Sequence, residues 1–110
     1  MTEWQTDVSD GVAVIVCPAR VSMAVATPFR EAIAAAVAQA PKVVVDLGPT
    51  AFIDSSGLGA LVSGLKTCRQ AGGDLRIAAA GEQVRTVLRL TNLDRILRPH
   101  DTVEDARRDW

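Results

Sequence analysis

The sequence predicts an α/β layer fold: a mixed, mostly parallel sheet of four or five strands with about four helices packed against it. Three observations lead there. After an opening hairpin pattern, strand and helix signals alternate along the chain, the order that builds layered α/β folds through right-handed crossovers. Val43-Val44-Val45 is a continuous apolar run, as in a strand covered on both faces. Two long stretches repeat apolar residues at intervals of three and four, the helical period.

The elements follow in order. Val12 to Val16 reads Val-Ala-Val-Ile-Val after Asp10-Gly11, a turn signal that pairs this strand with Trp4 to Val8. Thr27-Pro28 offers a helix cap and a first-turn proline, and Phe29, Ile33, Val37 and Ala40 then continue at helical spacing, so a helix is expected from there to just before Pro41. The valine strand follows, with Asp46 at its exit. Leu58, Leu61, Val62, Leu65 and Cys68 mark a second helix from about Ser56, closed by Gly72-Gly73. Asp74 to Ala78 alternates as a strand, Val84, Val87, Leu88 and Thr91 line one face of a third helix, and Ile96-Leu97 suggests a short edge strand. Asp101-Thr102-Val103-Glu104 has the cap and glutamate spacing of a last helix running toward Trp110.

Composition narrows the function. A chain of 110 residues, 48% hydrophobic, supports one core, so residues 1–110 are expected to form one domain. Twelve basic and thirteen acidic residues give a formal charge of -1, which disfavours direct nucleic-acid binding. Nine of the twelve basic residues follow Asp46, but so do eight of the thirteen acids, the mixture of a solvated surface. No apolar run approaches the ~20 residues of a membrane helix, and the N-terminus lacks the basic and apolar regions of a secretory signal; a cytoplasmic protein without membrane insertion is expected. Cys17 and Cys68 sit in apolar segments and are expected as buried free thiols. With only His100 besides, they assemble no zinc spacing. No phosphate-loop or dinucleotide motif occurs, so no cofactor is expected.

The chemistry concentrates in Phe52-Ile53-Asp54-Ser55-Ser56-Gly57-Leu58-Gly59, between the valine strand and the second helix. If that helix starts near Ser56, Asp54 or Ser55 can cap it, and the unpaired amides of its first turn favour an anion there. A phosphate on Ser55 would meet the positive end of the helix dipole and change the charge of any surface laid over the loop. Gly57 and Gly59 are expected to leave room for a partner to approach the serine. An ordinary N-cap is the plainer reading of the tetrapeptide.

The wider pattern, a valine-rich strand ending in Asp46-Leu47, a short loop, the Asp-Ser-Ser-Gly core and an apolar helix closed by Gly-Gly, resembles the STAS domain of anti-sigma factor antagonists from about Val12 to Ala106. The resemblance implies that Ser55 is the phosphorylated serine, with Asp54, Ser56, Gly57, Leu58 and Gly59 as partner-contacting residues around it. It implies a partner that is both anti-sigma factor and serine kinase, bound by the unphosphorylated form so that a sigma factor is freed for transcription, as in stress responses. A PP2C-type phosphatase resets the cycle, and the ATP and magnesium belong to the kinase. Relatives carry a Gly-x-Leu-Asp pattern after the second strand; here Pro18-Ala19-Arg20-Val21-Ser22 places Ala19 and Ser22 at the Gly and Asp positions, which removes a carboxylate from the expected contact surface. The alternative within the family is a subunit of a larger assembly, a lipid-transport complex or a stressosome-like sensor.

Other residues point less clearly. His100 reads as a surface-loop histidine. Asp46 and Asp54 form an acid pair on paper, but no activated group or substrate pocket accompanies them, so an enzyme is not expected. Trp4 and Trp110 read as packing residues at opposite ends of the chain.

Overall fold

The computed structural model describes residues 4–108 and 110. Strands β1 (Gln5–Ser9) and β2 (Val12–Val16) form an antiparallel hairpin. Its two turn residues, Asp10 at φ 54° and Gly11 at φ 76°, are both left-handed, the geometry that lets a two-residue turn follow the natural strand twist. After them come β3 (Arg20–Val21), α1 (Met23–Gln39), β4 (Lys42–Asp46), β5 (Phe52–Ile53), α2 (Ser55–Gln70), β6 (Asp74–Ala78), α3 (Glu82–Leu90), a 3-10 turn at Leu93–Arg95, β7 (Pro99–His100) and α4 (Val103–Ala106).

The main sheet has the order β1-β2-β4-β6-β7, and β3 pairs separately with β5. Apart from the hairpin every pairing is parallel, so the mixed, mostly parallel five-stranded sheet with four helices is the architecture expected. β4 lies at its centre, and Val43, Val44 and Val45 are each fully buried. Alternation sends Ala13, Ile15, Val43, Val45, Leu75 and Ile77 to a core shared with α1, α2 and α3. Val12, Val14, Val44 and Ala78 face the other way, under Ala106, Val103 and Trp110. The first face is thick, holding Phe29 and Ile33 of α1 against Leu58, Leu61, Leu65 and Cys68 of α2; each such large side chain contributes about 1.5–3 kcal/mol by leaving water. Trp4 stacks on Phe29 with ring centroids 4.8 Å apart, a packing role.

Both cysteines are free and buried. Burial, with a smaller contribution from the charge of Asp74, pushes the Cys68 thiol up to about 11; burial and then Asp46 raise Cys17 further. Both are therefore held as protonated, apolar side chains.

Several boundaries differ from the sequence reading. Helix α1 starts at Met23, so Pro28 lies inside it and Thr27 is no cap. Ile96-Leu97 is no strand: Asn92 turns left-handed at φ 60°, Leu97 plugs the core, and the edge strand is Pro99–His100. Proline is tolerated there because an edge strand leaves one side of its backbone unpaired. His100 thus belongs to β7, not to a loop. The last helix is one turn, capped by Thr102, whose Oγ1 accepts from Asp105 N at 3.0 Å; Asp101 is not the cap. Helix α2 closes as expected, with Gly73 N donating to Cys68 O at 2.9 Å and Gly72 N to Arg69 O at 3.1 Å, the double bond pattern that satisfies terminal carbonyls when the next residue turns left-handed. Gly72, at φ 87°, supplies that turn.

Candidate functional site at the start of helix α2

The loop from β4 to α2 is pinned at each step. Asp46 Oδ1 accepts from Gly48 N at 2.9 Å, which turns the chain out of the sheet. Thr50, the one buried polar residue among those described, donates to Pro18 O at 2.8 Å. Ala51 N and Phe52 N both donate to Ala19 O, at 2.8 and 3.2 Å, and Asp54 N donates to Val21 O at 3.3 Å. The two-residue strands β3 and β5 thereby bring the Pro18 to Ser22 segment alongside the Asp-Ser-Ser-Gly loop. Gln83 of α3 holds the opposite edge: its Oε1 accepts from Ile53 N at 3.0 Å and its Nε2 donates to Ile53 O at 3.1 Å, so one amide side chain stands in for a neighbouring strand. Arg20 lies over the Phe52 ring, 4.4 Å from its centroid, adding an exposed cation beside the loop. Nothing in the sequence pattern singled out Gln83, Thr50 or the Arg20–Phe52 pair, because each acts across a gap in the chain.

Asp54 is the centre of this arrangement. Its Oδ1 accepts from Gly57 N at 2.9 Å, capping α2, and its Oδ2 accepts from Met23 N at 3.2 Å, at the first residue of α1. One carboxylate therefore serves two helix N-termini. The Gly57 amide, and more weakly that of Met23, hold the Asp54 carboxyl below its ordinary range against an opposing effect of burial. Ser22, the N-cap of α1, makes no side-chain cap bond.

Ser55, the first residue of α2, is exposed, and its hydroxyl makes no hydrogen bond among the described residues. Ser56 and Gly59 are partly exposed. Gly57 and Leu58 correct the expectation of a surface role. Leu58 is only 4% exposed, within the main core. A Cβ on Gly57 would lie 2.3 Å from Val21 O and 2.7 Å from Ile53 Cγ1, so glycine is required there for β3 and β5 to close on the helix, not for access. At Gly59 the nearest atom to such a Cβ is Arg30 Nη2 at 3.8 Å, an ordinary contact, so a side chain there meets no clash. Asp46 and Asp54 each hold a backbone amide, Gly48 N and Gly57 N, an arrangement that serves the local fold. The geometry thus presents an unengaged hydroxyl at the positive end of a helix whose cap is made by a different residue.

Comparison with known proteins places this geometry. A curated Thermotoga maritima protein, named as a candidate anti-sigma factor antagonist, is 40% identical over 65 residues, 59% of this chain and 58% of that protein; the match spans less than two thirds of the relative. A solved structure of a Thermotoga maritima protein of the same description superposes with a TM-score of 0.84 at 29% identity, covering 94% of this chain and 90% of the other. An anti-sigma factor antagonist from Mycobacterium paratuberculosis superposes equally well, with a TM-score of 0.84 at 29% identity over 96% of this chain and 91% of its own. The Bacillus protein SpoIIAA shares the fold at 20% identity, with a TM-score of 0.80 over 94% and 92% of the two chains. The STAS domain profile matches residues 3–106, and the chain belongs to the STAS domain family.

Proposed function

We propose that residues 1–110 act as one anti-sigma factor antagonist module, a cytoplasmic binding protein and not an enzyme, switched by phosphorylation of Ser55. In this reading the unphosphorylated form binds an anti-sigma factor with serine kinase activity through Ser55, Asp54, Ser56 and Gly59. Phosphorylation releases the partner, and a PP2C-type phosphatase restores binding. The observation that carries the reading is the division of labour between neighbours: Asp54 makes the helix cap while Ser55, exposed, keeps its hydroxyl unengaged. A phosphate can be added there without the loss of a cap, and the amides of the first helical turn tolerate its charge. SpoIIAA has been described in unphosphorylated and phosphorylated forms, which supports the compatibility of this fold with both states. A passive scaffold subunit has no need of such a serine.

The test pairs labelling with affinity. Ser55→Ala is expected to abolish phosphate incorporation by the cognate kinase while keeping the complex. Ser55→Asp is expected to weaken the complex tenfold or more, because an interface covering this position must bury a new charge, and about 1.4 kcal/mol of that penalty already gives a factor of ten. Equal calorimetric affinities for wild type and Ser55→Asp, with equal melting, would remove Ser55 from the binding surface.

A further inference from the structure

At the other end of α2 lies a surface of different chemistry. Arg69 is fourteen residues beyond Ser55, about 21 Å along a helix. A cavity of about 400 Å³ opens beside it, lined by Arg69, Arg76, Arg95, Arg98 and Arg108, with Asp74 and Asp105 as the only acids among the described residues. Both acids are already engaged, Asp74 by Arg69 at 3.2 Å and Asp105 by Arg108 at 3.2 Å. Arg95 and Arg98 are exposed and form no ion pair among the described residues. A second depression of about 410 Å³ continues from Arg98 to Arg89, also exposed and without an ion pair among the described residues. Ile96, 44% exposed, lines the first cavity between the two free arginines.

We propose that this groove is a second interaction surface, which takes an acidic segment of a partner protein. The spacing carries the choice of occupant. Cations are strung along two adjoining depressions with an apolar side chain among them, which suits an extended segment bearing several carboxylates and an aliphatic residue; Arg89, Arg95 and Arg98, which form no ion pair among the described residues, can each grip a carboxylate with two parallel bonds. A nucleotide fits less well. Compact phosphates are held by converging backbone amides, whereas α2 and α3 bring their C-terminal, carbonyl ends here, at Gln70 and Leu90. A bilayer fits less well too, since the surface is concave, is broken by Asp74, Asp94 and Asp105, and belongs to a chain of formal charge -1. The inference does not depend on the Ser55 switch, because none of its residues touches that loop.

The experiment measures fluorescence anisotropy of a fluorescein-labelled Glu-Asp-Leu-Glu-Asp-Ile-Glu-Asp peptide on the full chain. Binding is expected that weakens with salt, weakens tenfold or more in Arg95→Glu/Arg98→Glu, and weakens measurably in the milder Arg95→Ala/Arg98→Ala, while Arg20→Glu/Arg30→Glu, with the same net charge change, leaves it intact. Circular dichroism melts of the Arg95/Arg98 variants are expected to coincide with that of the wild type, as both positions are exposed. Equal loss of binding in the two charge-reversed proteins would reduce the effect to net charge and overturn the proposal. So would displacement of the peptide by ATP or by phosphatidylglycerol vesicles at lower concentration than by unlabelled peptide. A salt-sensitive dimer in sedimentation, lost in Arg95→Glu/Arg98→Glu, would assign the groove to a second copy of the chain and overturn it equally.

Discussion

Helix α2 meets the rest of the molecule at both ends through a glycine pressed against a backbone carbonyl. At its start a Cβ on Gly57 would lie 2.3 Å from Val21 O; just past its end, a Cβ on Gly73 would lie 2.2 Å from Pro41 O. Beyond that shared device the two ends diverge. The start is finished with short side chains, Asp54, Ser55 and Ser56, of which Asp54 is fixed by accepting from two backbone amides. The far end is finished with long arginines, Arg69 and Arg108 held by exposed ion pairs and Arg76 by backbone carbonyls and the Trp110 ring. The difference separates two kinds of surface on one rod. A site built from backbone amides and a carboxylate has one shape and is altered by a single covalent change. One built from guanidinium groups adapts its shape and responds to salt.

Breaking what the two ends share should have the largest effect. Gly57→Ala and Gly73→Ala each force a methyl group into a carbonyl that cannot rotate away, and a cost of about 1–3 kcal/mol is expected for each, read from urea denaturation midpoints at unchanged slope. A neutral result at either position would mean that the backbone there yields. Asp54 sharpens the contrast next. Asp54→Ala removes acceptors from two helix starts and should lower the melting temperature, less than Gly57→Ala but more than any change at Ser55. The effect carries a pH signature. Because the folded carboxyl titrates below its ordinary value, its contribution is fully present above an unfolded-state pKa of about 3.9 and fades as pH falls through the lower folded value. Asp54→Asn should therefore flatten the acid limb of the stability curve relative to wild type; an unchanged acid limb would mean that the carboxylate's charge adds nothing. The smallest effect belongs to Ser55→Ala. Since Asp54 makes the cap, the hydroxyl supports nothing, and the change should stay within about 0.5 kcal/mol in a thermal melt. A loss near 1 kcal/mol, the size of a missing cap, would place a capping bond on Ser55.

The strands and helices legible in the sequence were those whose signals are local and repeated. The valine run, the Asp10-Gly11 turn, the three-and-four spacing of α2 and its Gly-Gly close each carry their own instruction. The start of α1 does not. Pro28 reads as a first-turn proline, yet the helix begins five residues earlier, where Met23 N is satisfied by Asp54 Oδ2, thirty-one positions away. A start signal delivered through space leaves no pattern around Ser22. The two-residue strands β3 and β5 are likewise too short for alternation to register, and their pairing is fixed by Ala19, Val21 and Gln83 acting across the fold. Of the candidate site, the place of the Asp-Ser-Ser-Gly segment at the start of α2 and the exposure of Ser55 were readable. Gly57 was misread because a glycine needed for clearance under a remote carbonyl looks in sequence like one needed for access. The arginine groove was unreadable because Arg69, Arg76, Arg95 and Arg98 are scattered along the chain and come together only in the fold.

The two tryptophans stand on opposite faces of the sheet, Trp4 stacked on Phe29 in the thick layer and Trp110 beneath Arg76, whose guanidinium carbon lies 4.0 Å from the ring centroid. With no tyrosine in the sequence, ultraviolet emission comes from these two indoles. One reports on α1, through Phe29, in the core that α1 shares with the helix starting at Ser55. The other sits against a cation that lines the basic groove. Replacing either by Phe leaves a protein with a single optical address, so that events on the two faces of the sheet can be followed separately, without a dye.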